Sequence, residues 1–295
     1  MRLHQIFAIS ICWATVLLTS CEALLKVPIP GCTDLHSFNY DPEATESDGN
    51  CLKMYGCTGY QGGYANSGHI STSIGNAYVD GLLQEEIGYQ RAFFQQVPAQ
   101  LLILFEPSAE LANCYANAQG ELLVGYHFFQ KHIGQYNELA VAGVMAHEYG
   151  HRVQFQHFQQ GKWLNDYAGK FQVELEADAF SGLYMALAKG AYWSEMEPYF
   201  QATFDAGDYM YNSRDHHGTP QQRMACAHLG VTAAAAILNG QLGTQYGDIH
   251  QYFMQEIRNR IAPRSEEAPA LASALPEIPL PRLTYTQRQA YFPHE

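Results

Sequence analysis

A five-residue string, His147-Glu148-Tyr149-Gly150-His151, lies inside a long stretch of periodic apolar residues from Glu138 to Gln159. The period predicts a buried helix, on which residues four apart share one face, about one turn from each other. Both imidazoles can then reach one metal ion at about 2.0–2.1 Å, the usual zinc–nitrogen distance. Glu148 lies beside them, where a carboxylate can take a proton from a zinc-bound water. The string therefore predicts a zinc site, and the alternative is two surface histidines on an amphipathic helix.

A catalytic zinc site needs a third protein ligand and an open fourth position. A second helical segment, from Phe171 to Gly182, carries three carboxylates. Glu174 and Asp178 are four residues apart and share a face, whereas Glu176 is rotated about 200° from Glu174 and points elsewhere. We therefore predict Glu174 as the third ligand and Asp178 as the acceptor of a hydrogen bond from a ligating imidazole. The alternative is an exposed acidic helix face.

The string from His147 to Gln154, followed by Glu-Leu-Glu-Ala-Asp-Ala-Phe-Ser-Gly from Glu174 to Gly182, resembles the paired motifs of bacterial neutral zinc metallopeptidases. It is also similar to the broader gluzincin pattern, in which H-E-x-x-H is completed by the Glu of E-x-x-x-D. The segments 117–127 and 217–223 resemble family segments before and after the active helix. The resemblance implies an α+β, zincin-like fold, mainly helical with a small sheet next to the active-site helix.

The motif and the resemblance imply hydrolysis of peptide bonds in a peptide or protein substrate, with Glu148 activating a zinc-bound water. The oxyanion formed in that reaction needs a second electrophile beside the metal. We predict His217 for this role, because it lies just before a strong helix start at Thr219-Pro220-Gln221-Gln222. His216 and Tyr149 are further candidates, and a surface histidine is the alternative. Two other classes stay open: a non-catalytic zincin-fold lipoprotein with a binding or assembly role, and a calcium-dependent surface adhesin.

The N-terminus is typical of an export signal. Arg2 precedes an apolar run from Ile6 to Thr19, which is too short to span a membrane comfortably. The run ends in Leu18-Thr19-Ser20-Cys21, which resembles a bacterial lipobox. That resemblance implies a signal peptide over residues 1–20 and a lipid on Cys21, which would anchor the mature chain to a membrane of the bacterial cell envelope, facing the periplasm or the exterior. An ordinary secretory signal and an uncleaved anchor are the alternatives.

The segment from Gly31 to Cys51 resembles a Gly-Cys-Thr-Asp…Asp-Gly-Ser-Cys repeat of bacterial surface and secreted proteins. The resemblance implies a disulfide between Cys32 and Cys51, in a spacer module over residues 22–59 between membrane and enzyme. Three aspartates there are hard oxygen donors that could hold Ca²⁺. They are Asp34, Asp41 and Asp48. The alternative is turn formation at Asp-Pro and Asp-Gly without an ion. The pairing of the other cysteines stays open.

The remaining chain forms the predicted metallopeptidase domain, residues 60–260, and a Pro-rich tail, residues 261–295, which we expect to be extended or disordered. The formal net charge of −13 argues against a nucleic-acid partner, since such binding depends on Lys and Arg.

Apolar patterns predict further elements in the metallopeptidase domain. Helices are expected over 76–96, 219–240 and 249–261, and strands over 101–105 and 121–128. The second of these strands is the candidate edge strand for pairing with an extended substrate.

Overall fold

The computed structural model describes residues 27–33, 41, 43–49, 51, 68–94, 97–168, 171–191, 193–209, 216–261 and 276–280. The predicted signal peptide, the lipidation site Cys21, and the residues Asp34 and Cys57 lie outside these ranges. The fold is α+β and mostly helical, with small sheets. Within the described ranges, no helix combines the length and the hydropathy that a membrane crossing requires.

The spacer module contains a short parallel strand pair and the predicted disulfide. Strand β1 (Pro30–Gly31) pairs with β2 (Glu46–Ser47). Cys32 and Cys51 are bonded, with their Cα atoms 4.9 Å apart. The carboxylate of Asp41 accepts the backbone N–H of Glu43 at 2.9 Å. This hydrogen bond stabilises a turn without an ion, which is the alternative to calcium binding.

Four strands form the main sheet, in the order β3-β4-β6-β5. They are β3 (His69–Ser71), β4 (Gln100–Phe105), β5 (Cys114–Ala116) and β6 (Glu121–Gly125). The two central strands, β4 and β6, are parallel, and the outer strands pair with them antiparallel. The prediction that residues 121–128 form an edge strand is therefore wrong, because β6 has a neighbour on each side. The edge strand on that side of the sheet is β5.

Strand β6 also ends earlier than predicted, because a helix begins at Tyr126. The buried carboxylate of Glu106 accepts the backbone N–H of His127 at 3.0 Å and so caps the start of that helix. A Cβ on Gly125 would lie 2.4 Å from the backbone carbonyl oxygen of Asn113, so only glycine fits at the junction. The cap comes from a residue about twenty positions earlier, beyond the reach of a local pattern.

Seven helices are found in the described ranges. They are α1 (Ala77–Phe93), α2 (Tyr126–Gln135), α3 (Glu138–Gln159), α4 (Phe171–Tyr184), α5 (Glu197–Asp205), α6 (Pro220–Leu238) and α7 (Tyr246–Glu256). The bounds predicted for α3 are confirmed, and α1, α4, α6 and α7 lie where helices are predicted. The sequence patterns missed α2 and α5. The π-helical turns Met185–Lys189 and Ile257–Ile261 continue α4 and α7.

Helix α4 is buried all round and packs between α3 and α6. Gly150 allows α3 to approach α4, since a Cβ there would lie 3.1 Å from Ala177 Cα. From the sequence we expect Gly182 to serve the same contact. In the structure it faces α6 instead, and a Cβ on it would lie 1.9 Å from the carbonyl oxygen of Ala227. The α4–α6 contact is therefore a backbone-to-backbone approach that side chains would prevent.

The described part of the predicted tail, residues 276–280, packs against the body of the protein. Ile278 and Leu280 are partly buried against the main core. His228 on α6 lies with Nε2 3.0 Å from the carbonyl oxygen of Pro276. These residues therefore contact the main core and α6.

Candidate metal centre

Three side chains converge where α3 crosses the first turn of α4. His147 Nε2 and His151 Nε2 are 3.1 Å apart, and Glu174 Oε2 lies 3.3 Å and 3.4 Å from them. Within the described ranges these form the one group of three or more His, Cys, Asp or Glu side chains whose donor atoms are close enough to share a metal ion. Ligand atoms about 2.0–2.1 Å from a tetrahedral ion lie about 3.3–3.4 Å from each other. The triangle therefore has the size that a tetrahedral site requires.

Both imidazoles turn the nitrogen Nε2 toward the centre of this triangle. His147 Nδ1 lies 2.8 Å from Asp178 Oδ1, and His151 Nδ1 lies 2.8 Å from Gln154 Oε1. Each Nδ1 faces an oxygen and donates to it, so a neutral ring presents a lone pair on Nε2. Two lone pairs and a carboxylate at such distances repel one another unless a proton or a metal ion lies between them. Two imidazoles and one carboxylate suit Zn²⁺, and also other transition-metal ions.

Glu174 is buried yet favours its ionised form. Burial raises its pKa, but nearby His151, His217 and His147 outweigh that effect and hold the pKa well below its usual value. Its place in the first turn of α4 adds the favourable field of a helix N-terminus. The third ligand position is therefore a carboxylate ready to bind a cation.

Asp178 is held by a buried arginine. Arg223 on α6 donates from Nε to Oδ2 and from Nη2 to Oδ1, both at 2.8 Å. Burial raises the pKa of Asp178, but Arg223 and then His147 lower it, and the net shift is downward. Helix α6 starts at the predicted capping box, in which the Thr219 side chain accepts the N–H of Gln222 at 3.2 Å. Arg223 follows Gln222 directly, so the cap helps to place the Arg223 side chain against Asp178.

Glu148 is 1% exposed and lines a cavity of about 210 Å³ beside the metal cluster. One wall of this cleft is edge strand β5 with the residue before it, Asn113. Residues of α2 and α5 also line the cleft, and the hydroxyl of Tyr136 on α2's C-cap donates to Asp205 on α5 at 2.6 Å. The cleft therefore meets the cluster at His147, with the Glu148 carboxylate and the edge strand β5 also in its lining.

His217 lines the same cleft, as its predicted role requires. Its backbone N–H donates to Asp208 Oδ2 at 3.1 Å, and Gly218 follows with a φ of +102°. His216 turns its ring to Asp208, with Nδ1 2.7 Å from Oδ1. Both histidines are therefore fixed by one carboxylate, but only His217 is presented to the cleft lining.

The prediction that Tyr149 could be the second electrophile is wrong. It is fully buried, its hydroxyl donates to the carbonyl oxygen of Val97 at 2.5 Å, and its ring stacks on Phe94 at 4.8 Å. Burial raises its pKa to about 12. Tyr149 is two residues from His147, and that helical step turns its side chain to the opposite face of α3.

Sequence reasoning missed three residues that hold the site in place: Gln154 and Arg223 behind the two histidines of the cluster, and Asp208 beside His217. Gln154 carries a detectable signal, since it continues the i, i+4, i+7 stripe that begins at His147. Arg223 lies in a segment noted for its resemblance, but the pattern does not show that α6 lies against α4. No local pattern marks Asp208.

Comparisons of this chain with protein families, with curated proteins and with solved structures found no match. The resemblance to bacterial neutral zinc metallopeptidases thus depends on the two motifs and the two segments beside them alone.

Proposed function

We propose that this chain is a zinc-dependent metallopeptidase of the gluzincin type with a zincin-like fold. The observation that carries the proposal is the triangle of His147 Nε2, His151 Nε2 and Glu174 Oε2 at 3.1–3.4 Å, with Glu148 in the adjoining cleft. Bound zinc would lower the pKa of a coordinated water to about 7 and polarise the scissile carbonyl.

Glu148 and His217 have separate tasks in the proposed reaction. Glu148 is the base: it accepts a proton from the attacking water and passes it to the leaving amine. Its position one residue after His147 keeps the carboxylate next to the metal cluster. His217 lines the cleft and supplies a hydrogen bond to the developing oxyanion, for which it must be protonated on the nitrogen that faces the substrate.

The peptide would bind along β5 rather than along β6. Strand β5 pairs with β6 on one side, and its residue Cys114 and the preceding Asn113 line the cleft. An extended peptide can add to such an edge through main-chain hydrogen bonds. We propose further that lipid on Cys21 holds the enzyme at a membrane of the cell envelope, with the disulfide-closed module as its spacer.

A test uses residues 22–295, purified without the lipidated cysteine, with metal content measured by mass spectrometry and cleavage measured on a peptide library. We expect zinc and chelator-sensitive cleavage. Glu148→Gln should keep zinc and lose about 10²–10⁴-fold in rate, because the amide cannot take the proton. Glu138→Gln, an exposed change on the same helix, is the matched control.

Each contrary result has its own meaning. Glu148→Gln cleaving at the wild-type rate would refute the base assignment. A wild type that binds zinc but cleaves no peptide would favour the non-catalytic lipoprotein. A wild type that binds calcium and not zinc would favour the adhesin class.

A further inference from the structure

A chain of hydrogen-bonded side chains runs behind His151 and ends at the protein surface. His151 Nδ1 lies 2.8 Å from Gln154 Oε1. The amide nitrogen of Gln154 donates to Glu176 Oε2 at 2.8 Å and to the carbonyl oxygen of Val173 at 2.9 Å. Neither Gln154 nor the two groups to which it donates has a task in the proposed reaction.

Two acceptors determine which way the Gln154 amide faces. The carboxylate of Glu176 and the carbonyl of Val173 can only accept hydrogen bonds, so both require the NH₂ end of the amide. Rotation of the amide by about 180° would set its oxygen against both acceptors. With the oxygen facing His151, that ring is protonated on Nδ1, and in its neutral form it has a lone pair on Nε2. Nε2 is the atom that this ring contributes to the metal cluster.

Glu176 is itself fully buried and held by three donors. The hydroxyl of Tyr167 and the amide of Gln154 donate to Oε2, and His250 Nδ1 lies 2.6 Å from Oε1. The other ring nitrogen of His250 lies 3.0 Å from Asp166 Oδ2. Since both neighbours are carboxylates, the ring donates from both nitrogens and is a cation. Burial lowers the pKa of His250, but Glu176 and Asp166 outweigh it and the net shift is upward.

Trp163 holds the ring of His250 against Glu176. The two rings stack at 4.0 Å with 5° between their planes, and the other face of Trp163 stacks on His157 at 3.8 Å. Trp163 has a φ of +64°, which is rare for a residue with a side chain. Such a conformation persists where the surroundings require it. Here the requirement is the stack that confines His250.

We propose that Glu176 and His250 are positioning residues for the metal ligand His151, and that they act through Gln154. His250 anchors Glu176, Glu176 fixes the amide of Gln154, and the amide fixes the tautomer of His151. The inference rests on the proposed function, since it takes the cluster to be a zinc site. It also revises the view from the sequence that Glu176, pointing away from the ligands, has no part in metal binding.

The tautomer of His151 can be measured in the metal-free protein by long-range ¹H–¹⁵N NMR of its imidazoles. At a pH at which the ring is neutral, we expect the wild type to carry the proton on Nδ1 and not on Nε2. Glu176→Gln should give a mixture of tautomers, because the new amide can itself rotate and no longer fixes Gln154. Glu86→Gln is the matched control, because Glu86 is also a buried carboxylate and pairs with Lys189 at 2.7 Å. A wild-type pattern in Glu176→Gln would overturn the proposal.

A double-mutant cycle on zinc affinity tests the route of the effect. Glu176→Gln and Gln154→Ala should each weaken zinc binding by about 10–100-fold, measured against a chromogenic chelator. The double variant should bind zinc no more weakly than Gln154→Ala, because Glu176 acts through Gln154. A merely structural role of Glu176 would make the two effects add, and additivity would therefore contradict the proposal.

A replacement variant and a measurement without metal distinguish a wrong metal site from a wrong positioning chain. Should Glu176→Gln not fold, His250→Gln enters the same cycle, with the same expectation of non-additivity. A wild type without zinc would refute the metal centre, while the tautomer measurement in the metal-free protein would still decide for or against the positioning chain. A wild type that binds zinc, with Glu176→Gln unchanged in both measurements, refutes the positioning chain alone.

Discussion

His147 and His151 lie one turn apart on the same helix, yet the protein orients them by different means. His147 donates to Asp178, which is paired with Arg223, and both of these are at most 5% exposed. His151 donates to a neutral amide, and the chain behind it ends at Asp166, whose side chain is 48% exposed. One ligand is therefore backed by a closed ion pair and the other by a chain that reaches solvent.

The difference follows from what each acceptor can do. A carboxylate such as Asp178 accepts from either oxygen, so it needs only a counter-charge to stay ionised. The amide of Gln154 can present either an oxygen or an NH₂ group, so further groups must fix its direction. An ion pair thus completes the support of His147, while the support of His151 extends over several residues.

The largest expected effect comes from removing Glu174, the carboxylate that lies next to both histidines. Glu174→Ala should abolish tight zinc binding, because two imidazoles remain without a third donor. Zinc content after gel filtration measures this, with Glu138→Gln as the control. Stoichiometric zinc in Glu174→Ala would show that another residue is the third ligand.

The ion pair behind His147 should matter most for stability. Arg223→Met leaves Asp178 buried without its counter-charge, and we expect a loss of about 3–5 kcal/mol in the free energy of unfolding. Urea denaturation of the metal-free protein measures it. The control is Arg260→Met, whose partner is Glu256 and whose side chain is 73% exposed, so the expected loss is about 0–1 kcal/mol. Equal losses in the two variants would mean that the buried ion pair stabilises the fold no more than the exposed one.

A smaller change at the same place should act on the metal. Asp178→Asn keeps the shape but makes the acceptor neutral, so we expect zinc affinity to fall by about 10–100-fold. Competition with a chelator gives the dissociation constant. An unchanged constant would mean that His147 does not depend on the charge behind it.

The smallest effect concerns pH and the chain behind His151. The pKa of His250 is raised above 6.5 in the folded protein. Its contribution to stability is therefore complete below pH 6.5, the ordinary value for the unfolded chain, and declines as the pH rises through the higher folded value. His250→Gln should cost about 1 kcal/mol at pH 6 and less at pH 9, by urea denaturation. A cost that is independent of pH would mean that the ring is neutral.

The parts of the site that the sequence predicts are those set by helical periodicity. The bounds of α3 follow from its apolar stripe, and Asn137 caps its start by accepting the N–H of Ala140 at 3.1 Å. That Glu174, and not Glu176, lies beside the two histidines follows from which face of α4 each residue occupies. These properties are local, so a single sequence carries them.

The parts that the sequence does not predict depend on contacts between distant segments. The place of β6 in the sheet is set by its pairing with β4, and its end is set by Glu106. His250 reaches Glu176 across 74 positions, and Arg223 reaches Asp178 across 45. Periodicity says which face of a helix is buried, but it does not say which neighbour covers that face.

The close approach of α4 and α6 makes these two helices a single mechanical unit. Gly182 follows Asp178 by one turn on α4, and it faces Ala227, which follows Arg223 by one turn on α6. Any side chain at position 182 would push the helices apart, since its Cβ would lie 1.9 Å from the carbonyl oxygen of Ala227. The displacement would move Arg223 away from Asp178. Asp178 would then hold the ring of His147 less firmly, although His147 itself is not changed. Gly182, which is not part of the candidate metal site, therefore helps to set the contact between Arg223 and Asp178.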